Sequence, residues 1–259
     1  MPIGIRIAAT GDLHVRGATE QRAVPGLWNI EHHADLLIIA GDLTENGRLV
    51  EAEATAALLR EVRIPVVAVL GNHDLRSLRR TAFRRALECA GIDILDGQST
   101  IVQLANGTRV GIAGATGTGG GFWPIEGPNA LHNGTLKRLA LKSVRELATL
   151  ERCLRELDAD VRIVTMHYAP TTSTLGREPL AKYWMLGNSE LGAVIDKGST
   201  DLVIHGHAHL GTLKGQTPGG VPVWNVALPV VGRIFLETLK TRCSVHHDAR
   251  NPSPVVQCL

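Results

Sequence analysis

Residues 65–74 read Pro-Val-Val-Ala-Val-Leu-Gly-Asn-His-Asp. The run from Pro65 to Leu70 is apolar and rich in β-branched valine, the length and composition of a strand buried on both faces. It stops at Gly71, and Asn72, His73 and Asp74 follow at once. In an open α/β sheet, side chains just beyond the carboxyl ends of strands meet in one crevice, so a strand that ends this way addresses a site.

The arrangement recurs on both sides of that stretch. Ile5 to Ala9 leads into Gly11-Asp12-Leu13-His14, Leu36 to Ala40 into Gly41-Asp42, Val161 to Thr165 into His167, and Leu202 to Ile204 into Gly206-His207-Ala208-His209. Segments at helical spacing lie between, predicting helices over 19–33, 47–62, Leu75 to Ala90, Leu136 to Leu157 and Leu186 to Asp196. Residues 91–115 read as short strands with a tight turn at Asn106-Gly107. Val221 to Val226 and Arg233 to Leu239 complete the strands. Strands alternating with helices predict an α/β fold. With no internal repeat or charged linker, residues 1–239 read as one catalytic domain and 240–259 as a C-terminal tail of unknown role.

Several function classes are excluded on composition. The longest apolar runs have strand length, so no membrane span is expected. The stretch Ile3 to Thr10 is too short for a secretory h-region. Cys89, Cys153, Cys243 and Cys258 are scattered without a Cys-x-x-Cys pair, which fits neither a disulfide framework nor a zinc knuckle, and a cytoplasmic location is expected. A net charge of +2 falls short of the basic field of a dedicated nucleic-acid binder.

The five polar clusters carry the chemistry. Asp12 and His14, or His207 and His209, lie two residues apart and on extended backbone would project to one side, each pair able to chelate a metal. The flanking glycines would let an ion approach without a Cβ in the way. Oxygen and nitrogen donors without thiolate suit iron, manganese or zinc. Singly, each residue has a plain structural reading: an Asp after a strand caps a helix, an Asn forms a turn, a His sits hydrogen-bonded in the core. All five in order, each at a strand end, outweigh those readings. His32, His33, His132, His205, His246 and His247 lack strand-end partners and read as solvated or structural.

Asp12-Leu13-His14, Gly41-Asp42, Gly71-Asn72-His73-Asp74, His167 and Gly206-His207-Ala208-His209 together resemble the signature of the calcineurin-like metallophosphoesterases, over residues 5 to about 230. The resemblance implies a four-layer α-β-β-α sandwich of two mixed sheets flanked by helices. It implies two metal ions (manganese, iron or zinc), one held by Asp12, His14, Asp42 and His209, the other by Asn72, His167, His207 and the shared Asp42. Two cations about 3.5–4 Å apart would acidify a bridging water, whose hydroxide would attack phosphorus in line with the leaving oxygen. His73 matches the family's histidine that stabilises charge or protonates the leaving group. Asp74 is expected either to orient that imidazole or to cap the following helix. The Asp-Arg-Gly of the Ser/Thr protein phosphatases and the tyrosine ligand of the purple acid phosphatases are missing, and His73 stands where the UDP-sugar pyrophosphatases of lipid A synthesis carry arginine. The nearest pattern is that of bacterial class III cyclic-nucleotide and glycerophosphodiester phosphodiesterases.

The leading expectation is therefore a small-molecule phosphoesterase, most of all a phosphodiesterase. A nuclease stands second and a non-catalytic scaffold on the same fold third. Oligomeric state is left open, a homodimer among the options. The glycine-rich stretch Gly114 to Pro124 matches no nucleotide-binding loop and reads as a mobile loop near the site. The insertion Thr171 to Gly187 holds Arg177, Lys182, Tyr183 and Trp184, which would clamp a phosphate and stack on a base or sugar, or else form an ordinary surface loop. Arg76, Arg79, Arg80, Arg84 and Arg85 would suit a nuclease, against the plainer reading of a solvated helix face with Leu75, Leu78 and Leu87 as its core stripe.

Overall fold

Strands that are apolar at every position need cover on both faces, and the chain supplies it by packing two sheets against each other. The computed structural model describes residues 4–17, 24–122, 125–126 and 134–240. The first sheet contains β1 (Gly4–Thr10), β2 (Leu36–Ala40), β3 (Val66–Val69), β4 (Ile92–Leu95) and β13 (Phe235–Lys240), in the order β13-β1-β2-β3-β4. The second has the order β11-β12-β10-β9-β6-β5, from β5 (Gln98–Gln103), β6 (Arg109–Ala115), β9 (Val161–Met166), β10 (Leu202–His205), β11 (Lys214–Gln216) and β12 (Pro222–Asn225). Both are mixed: β13 runs antiparallel to β1, and β5 and β11 antiparallel to β6 and β12, while the central strands are parallel. A two-stranded ribbon, β7 (Gly121–Phe122) with β8 (Ile125–Glu126), stands apart.

Alternation along each strand divides the core. Ile38, Ala40, Val67 and Val69 pack between the sheets against Ile112, Ile163 and Ile204. Leu37, Ile39, Val66 and Ala68 face outward to Ala52 and Leu59 of α1 (Leu49–Leu59) and Phe83 and Leu87 of α2 (Arg80–Glu88). On the far side, Val164, Met166 and Val203 are covered by Leu150 and Leu154 of α3 (Gly134–Glu156), by Leu157 just after it, and by Leu191 and Ile195 of α5 (Ser189–Lys197). Two short helices, α4 (Tyr183–Leu186) and α6 (Leu228–Val231), complete the set. This is the expected α-β-β-α sandwich.

Local departures from expectation have identifiable causes. In place of a helix over 19–33, the described part from Val24 onward is turns and one 3₁₀ turn, Ile30–His32, because Pro25-Gly26 and a left-handed Asn29 (φ 55°) break the period; residues 19–23 lie outside the description. The helix expected from Leu75 is a 3₁₀ turn, Asp74–Arg76, ended by an extended Ser77 before α2 begins. That break turns Leu78 fully to solvent, so it is no part of a core stripe, whereas Leu87 is buried. Ile92 to Leu95 joins the first sheet beside β3, and only β5 and β6 form the hairpin, turned at Asn106, whose side chain accepts from Thr108 N–H. Leu186 to Asp196 is two helices parted at Gly187, where any Cβ would collide with the Ala169 carbonyl. Residues 241–259, most of the tail, lie outside the described residues, as do His132, His246 and His247.

Candidate metal centre

The carboxyl ends of β1, β2, β3, β9 and β10 all open on the same edge of the sandwich, and the five clusters meet there. Asp12 and Asp42 are buried, with Asp12 accepting from His207 N–H (2.9 Å) and Asp42 from His73 N–H (2.8 Å). Among the described residues, three groups have potential ligand atoms within 4.8 Å of one another: Asp12, His14 and His209; Asp42, His167 and His207; and His14, Glu45 and His73. The Asn72 amide oxygen is 2.9 Å from His167 Nε2, beside the group of Asp42, His167 and His207.

The pairs two residues apart do not sit on extended backbone. Asp12, His14, Asp42 and His207 all adopt left-handed conformations, with φ of 57°, 47°, 50° and 68°. Non-glycine residues rarely hold positive φ, and four at one site amount to local strain that the surrounding packing must hold in place. Turning the backbone this way aims Asp12 and His14 inward from a tight loop rather than from a strand. The flanking glycines also act differently from expectation. A Cβ on Gly71 would strike the Asp42 carboxylate, and one on Gly206 would strike the Asp12 carboxylate, so these glycines admit the acidic side chains rather than an ion.

The hydrogen-bond pattern shows which atoms the site presents. His167 is fully buried, and its Nδ1 meets the Ala40 carbonyl at 2.9 Å, so that nitrogen carries the proton. Its Nε2 then faces two oxygens, Asp42 Oδ2 at 3.3 Å and Asn72 Oδ1 at 2.9 Å. An imidazole lone pair cannot satisfy two acceptors; only a proton or a cation between them can. Burial acts to lower the pKa of His167, yet the Asp42 carboxylate prevails and raises it to about 9. Both ring nitrogens of His14 are buried and without a hydrogen-bond partner, while Nε2 lies 3.9 Å from Asp12 Oδ1 and 3.8 Å from Asp42 Oδ2. Acceptor atoms converging on a common volume, with buried nitrogens unpaired, fit a pair of cations and the donor chemistry of zinc, iron or manganese. His207 Nε2 meets the Met185 carbonyl at 3.1 Å, which as the protonated nitrogen leaves Nδ1 for the cluster. Burial lowers the pKa of His207 to about 4, keeping the ring neutral.

Asp74 does neither of the things expected of it. Its buried carboxylate accepts from Leu43 N–H (3.1 Å), Thr44 N–H (2.9 Å), Thr44 hydroxyl (2.7 Å) and Gly71 N–H (2.9 Å), tying the loop after β2 to the loop after β3. The His73 imidazole is oriented by the Glu45 carbonyl, 2.6 Å from Nδ1. Glu45 was not singled out by sequence; its carboxylate lies 3.4 Å from His14 Nδ1, and its place three residues after Asp42 was the available signal.

The remaining candidates divide. Arg177 and Lys182 are exposed on the insertion, and among the described residues neither side chain contacts the cluster. The insertion reaches the site instead through its backbone at Met185. The glycine-rich stretch is packed rather than mobile as far as Phe122: Gly119 lies against the Trp184 carbonyl and Gly120 against the Asn188 side chain, so close that a Cβ at either would clash. It is the seat of the insertion. His205 is buried between Thr174 and Gly206, a structural histidine as expected, and His32 and His33 are exposed. Of the arginines on that segment, Arg84 is engaged by Glu88 and the Ile94 carbonyl, Arg80 by the Leu75 carbonyl, and Arg76 turns to His73.

Among solved structures, the chain resembles the protein TT1561 of Thermus thermophilus, at 18% identity over 93% of this chain and 100% of that one, with a TM-score of 0.55. It also resembles a Staphylococcus aureus protein provisionally named a 5'-nucleotidase and solved with alpha-ketoglutarate, at 14% identity over 92% of this chain and 54% of that one, with a TM-score of 0.53. At such identities these likenesses establish the fold. No curated protein sequence matches the chain. No helix among the described residues is long and apolar enough to cross a membrane. The model of the family described as calcineurin-like phosphoesterase matches residues 5–211, a span that holds every one of the converging side chains, and the chain belongs to that family.

Proposed function

We propose that the chain is a binuclear metal-dependent phosphoesterase that hydrolyses a small phosphate diester. The observation that carries this reading is the convergence at His167 Nε2, which faces both Asp42 Oδ2 at 3.3 Å and the Asn72 amide oxygen at 2.9 Å, an arrangement of donor atoms that one cation would satisfy together. On this reading Asp12, His14, Asp42 and His209 hold one cation, and Asn72, His167 and His207 hold the other with Asp42 shared. When bound, such a pair supplies charge neutralisation for the phosphoryl oxygens and a water acidic enough to serve as nucleophile near neutral pH.

The chain's own groups do the rest. His73 donates Nδ1–H to the Glu45 carbonyl, which leaves Nε2, 4.0 Å from Asp42 Oδ2, turned to the cluster. A proton at that nitrogen reaches the leaving-group oxygen of a phosphoryl group seated over Asp42. The Glu45 carboxylate lies 3.4 Å from His14 Nδ1, on the side of the ring away from Asp12 and Asp42, which leaves Nε2 to the cluster.

The test uses purified protein, Mn²⁺ and bis(p-nitrophenyl) phosphate. Turnover that disappears on chelation, returns with metal, and is absent from Asn72→Ala and His207→Ala supports the reading; equal turnover in those variants or in chelator removes it.

A further inference from the structure

Most arginines near the site are committed elsewhere. Arg16 Nε lies 3.5 Å from the Glu45 carboxylate, Arg84 is ion-paired with Glu88, and Arg80 donates to a carbonyl of its own segment. Arg76 differs. Among the described residues it has no carboxylate partner; its guanidinium donates only to His73 Nε2, at 3.1 Å, and to the Glu45 carbonyl, at 3.4 Å. Both are neutral acceptors. Of the five N–H donors of a guanidinium, that leaves three open, on an exposed cation at the mouth of the site.

Its position is fixed from below. Arg76 closes the 3₁₀ turn begun by Asp74, whose carboxylate is held by four donors, and Arg76 N–H bonds the His73 carbonyl at 3.2 Å. Gly47 packs so closely beneath the turn that a Cβ there would lie 2.7 Å from Ser77 N and 2.8 Å from the Asp74 carbonyl. The turn cannot drift from the cluster without breaking those contacts. The guanidinium is one contact beyond His73 Nε2, which is itself 4.0 Å from Asp42 Oδ2. A tetrahedral anion seated between Asp42 and His73 would lie within reach of Arg76 by a side-chain rotation. Guanidinium binds such oxygens with paired, charge-assisted hydrogen bonds, stronger than those to neutral acceptors.

We propose that Arg76 is a substrate-holding residue, its guanidinium exchanging His73 Nε2 for a non-bridging oxygen of the phosphoryl group and so freeing that ring nitrogen to face the leaving group. The proposal rests on the phosphoesterase reading for the identity of the substrate, and its test is chosen to stand apart from turnover. Inorganic phosphate, the shared anion of any such product, is titrated calorimetrically into the manganese-loaded protein and into R76A, R76K and R80A, with bound metal and melting temperature measured for each. Arg76→Ala should weaken phosphate binding roughly tenfold or more, Arg76→Lys should recover part of the loss, and Arg80→Ala should bind as the parent does. Metal content and melting temperature should stay at parental values in all three, because Arg76 touches no donor atom of Asp12, His14, Asp42, Asn72, His167, His207 or His209 and is exposed. With bis(p-nitrophenyl) phosphate, R76A should raise KM by a similar factor. Phosphate affinity within about twofold of the parent in R76A, or no binding to the parent protein, overturns the role of Arg76. Phosphate binding that depends on Arg76 in a protein that hydrolyses no ester would sustain the anion site and remove the enzymatic reading.

Discussion

The two sheets contribute to one site by different means. The first sheet brings Asp12, His14, Asp42, Asn72 and His73 on loops that follow β1, β2 and β3 directly, and the loops after β2 and β3 are stitched to one another by a buried carboxylate, Asp74, with four donors. The second brings His167, His207 and His209, whose supports lie farther off in the chain: His167 leans on the Ala40 carbonyl, 127 residues away, and His207 on Met185 in the insertion. The first half of the centre is braced by side-chain charge over short loops. The second is braced by backbone carbonyls and by a packed insertion. A shared centre should therefore fail in distinguishable ways when one side is loosened.

The largest effect should come from the one residue that belongs to both. Asp42→Asn should lower turnover roughly a thousandfold or more and reduce bound metal at both positions, read by steady-state rates and elemental analysis. If one cation alone were lost, the sharing of Asp42 would be refuted.

His205 probes the brace on the second sheet. Its ring is fully buried, Nε2 against the Thr174 hydroxyl at 2.8 Å and Nδ1 against the Gly206 carbonyl, and burial lowers its pKa to about 4. An unfolded histidine titrates near 6.5, so between about pH 6.5 and 4 the unfolded chain binds a proton that the native state refuses. Stability from this group is thus complete above pH 6.5 and lost as pH falls toward 4, by up to about 3 kcal/mol. Chemical denaturation across that range should show a shallower acid loss in His205→Gln than in the parent; identical slopes would assign the acid sensitivity to other groups.

Asp74→Ala tests the brace on the first sheet. It strands buried donors of Leu43, Thr44 and Gly71, and should cost about 1–3 kcal/mol in unfolding free energy. Metal affinity at the Asp12–His14–His209 group should fall with it. An unchanged melting temperature would show that the two loops are held by packing alone.

The smallest effect should be the most local. A Cβ at Gly119 would sit 2.5 Å from the Trp184 carbonyl, so Gly119→Ala must push the segment that carries the Met185 carbonyl away from His207. The cation held with His167 and His207 should bind roughly tenfold more weakly, while the one at Asp12, His14 and His209 keeps its affinity, as resolved by competitive chelation. Equal weakening of both would mean that the insertion supports the whole centre and that the contrast between the sheets is overdrawn.

Much of this was legible before any coordinates. Apolar runs such as Leu36 to Ala40 need burial on both faces, and a polar cluster after each points to a common edge, so the α/β class and the five clusters could be read in order along the chain, while the four layers and the seven expected ligands followed from the family resemblance. Short-range signals misled where turn chemistry overrode period, as at Pro25-Gly26 and at Ser77, which carried Leu78 into solvent. Glu45 and Arg76 stayed hidden among ordinary surface charges, since their meaning depends on what lies across a loop.

By itself, the sequence determined which side chains reach the edge, because the period of each strand and the residue that ends it are local properties. Only the tertiary structure decided how those side chains stand there: the left-handed backbones of Asp12, His14, Asp42 and His207, the ring nitrogen that each histidine presents, and the carbonyl from the insertion that selects one of them. Such choices belong to contacts between segments far apart in the chain, where a clash at Gly71 or an unpaired ring nitrogen on His14 is settled by neighbours that no window of sequence contains.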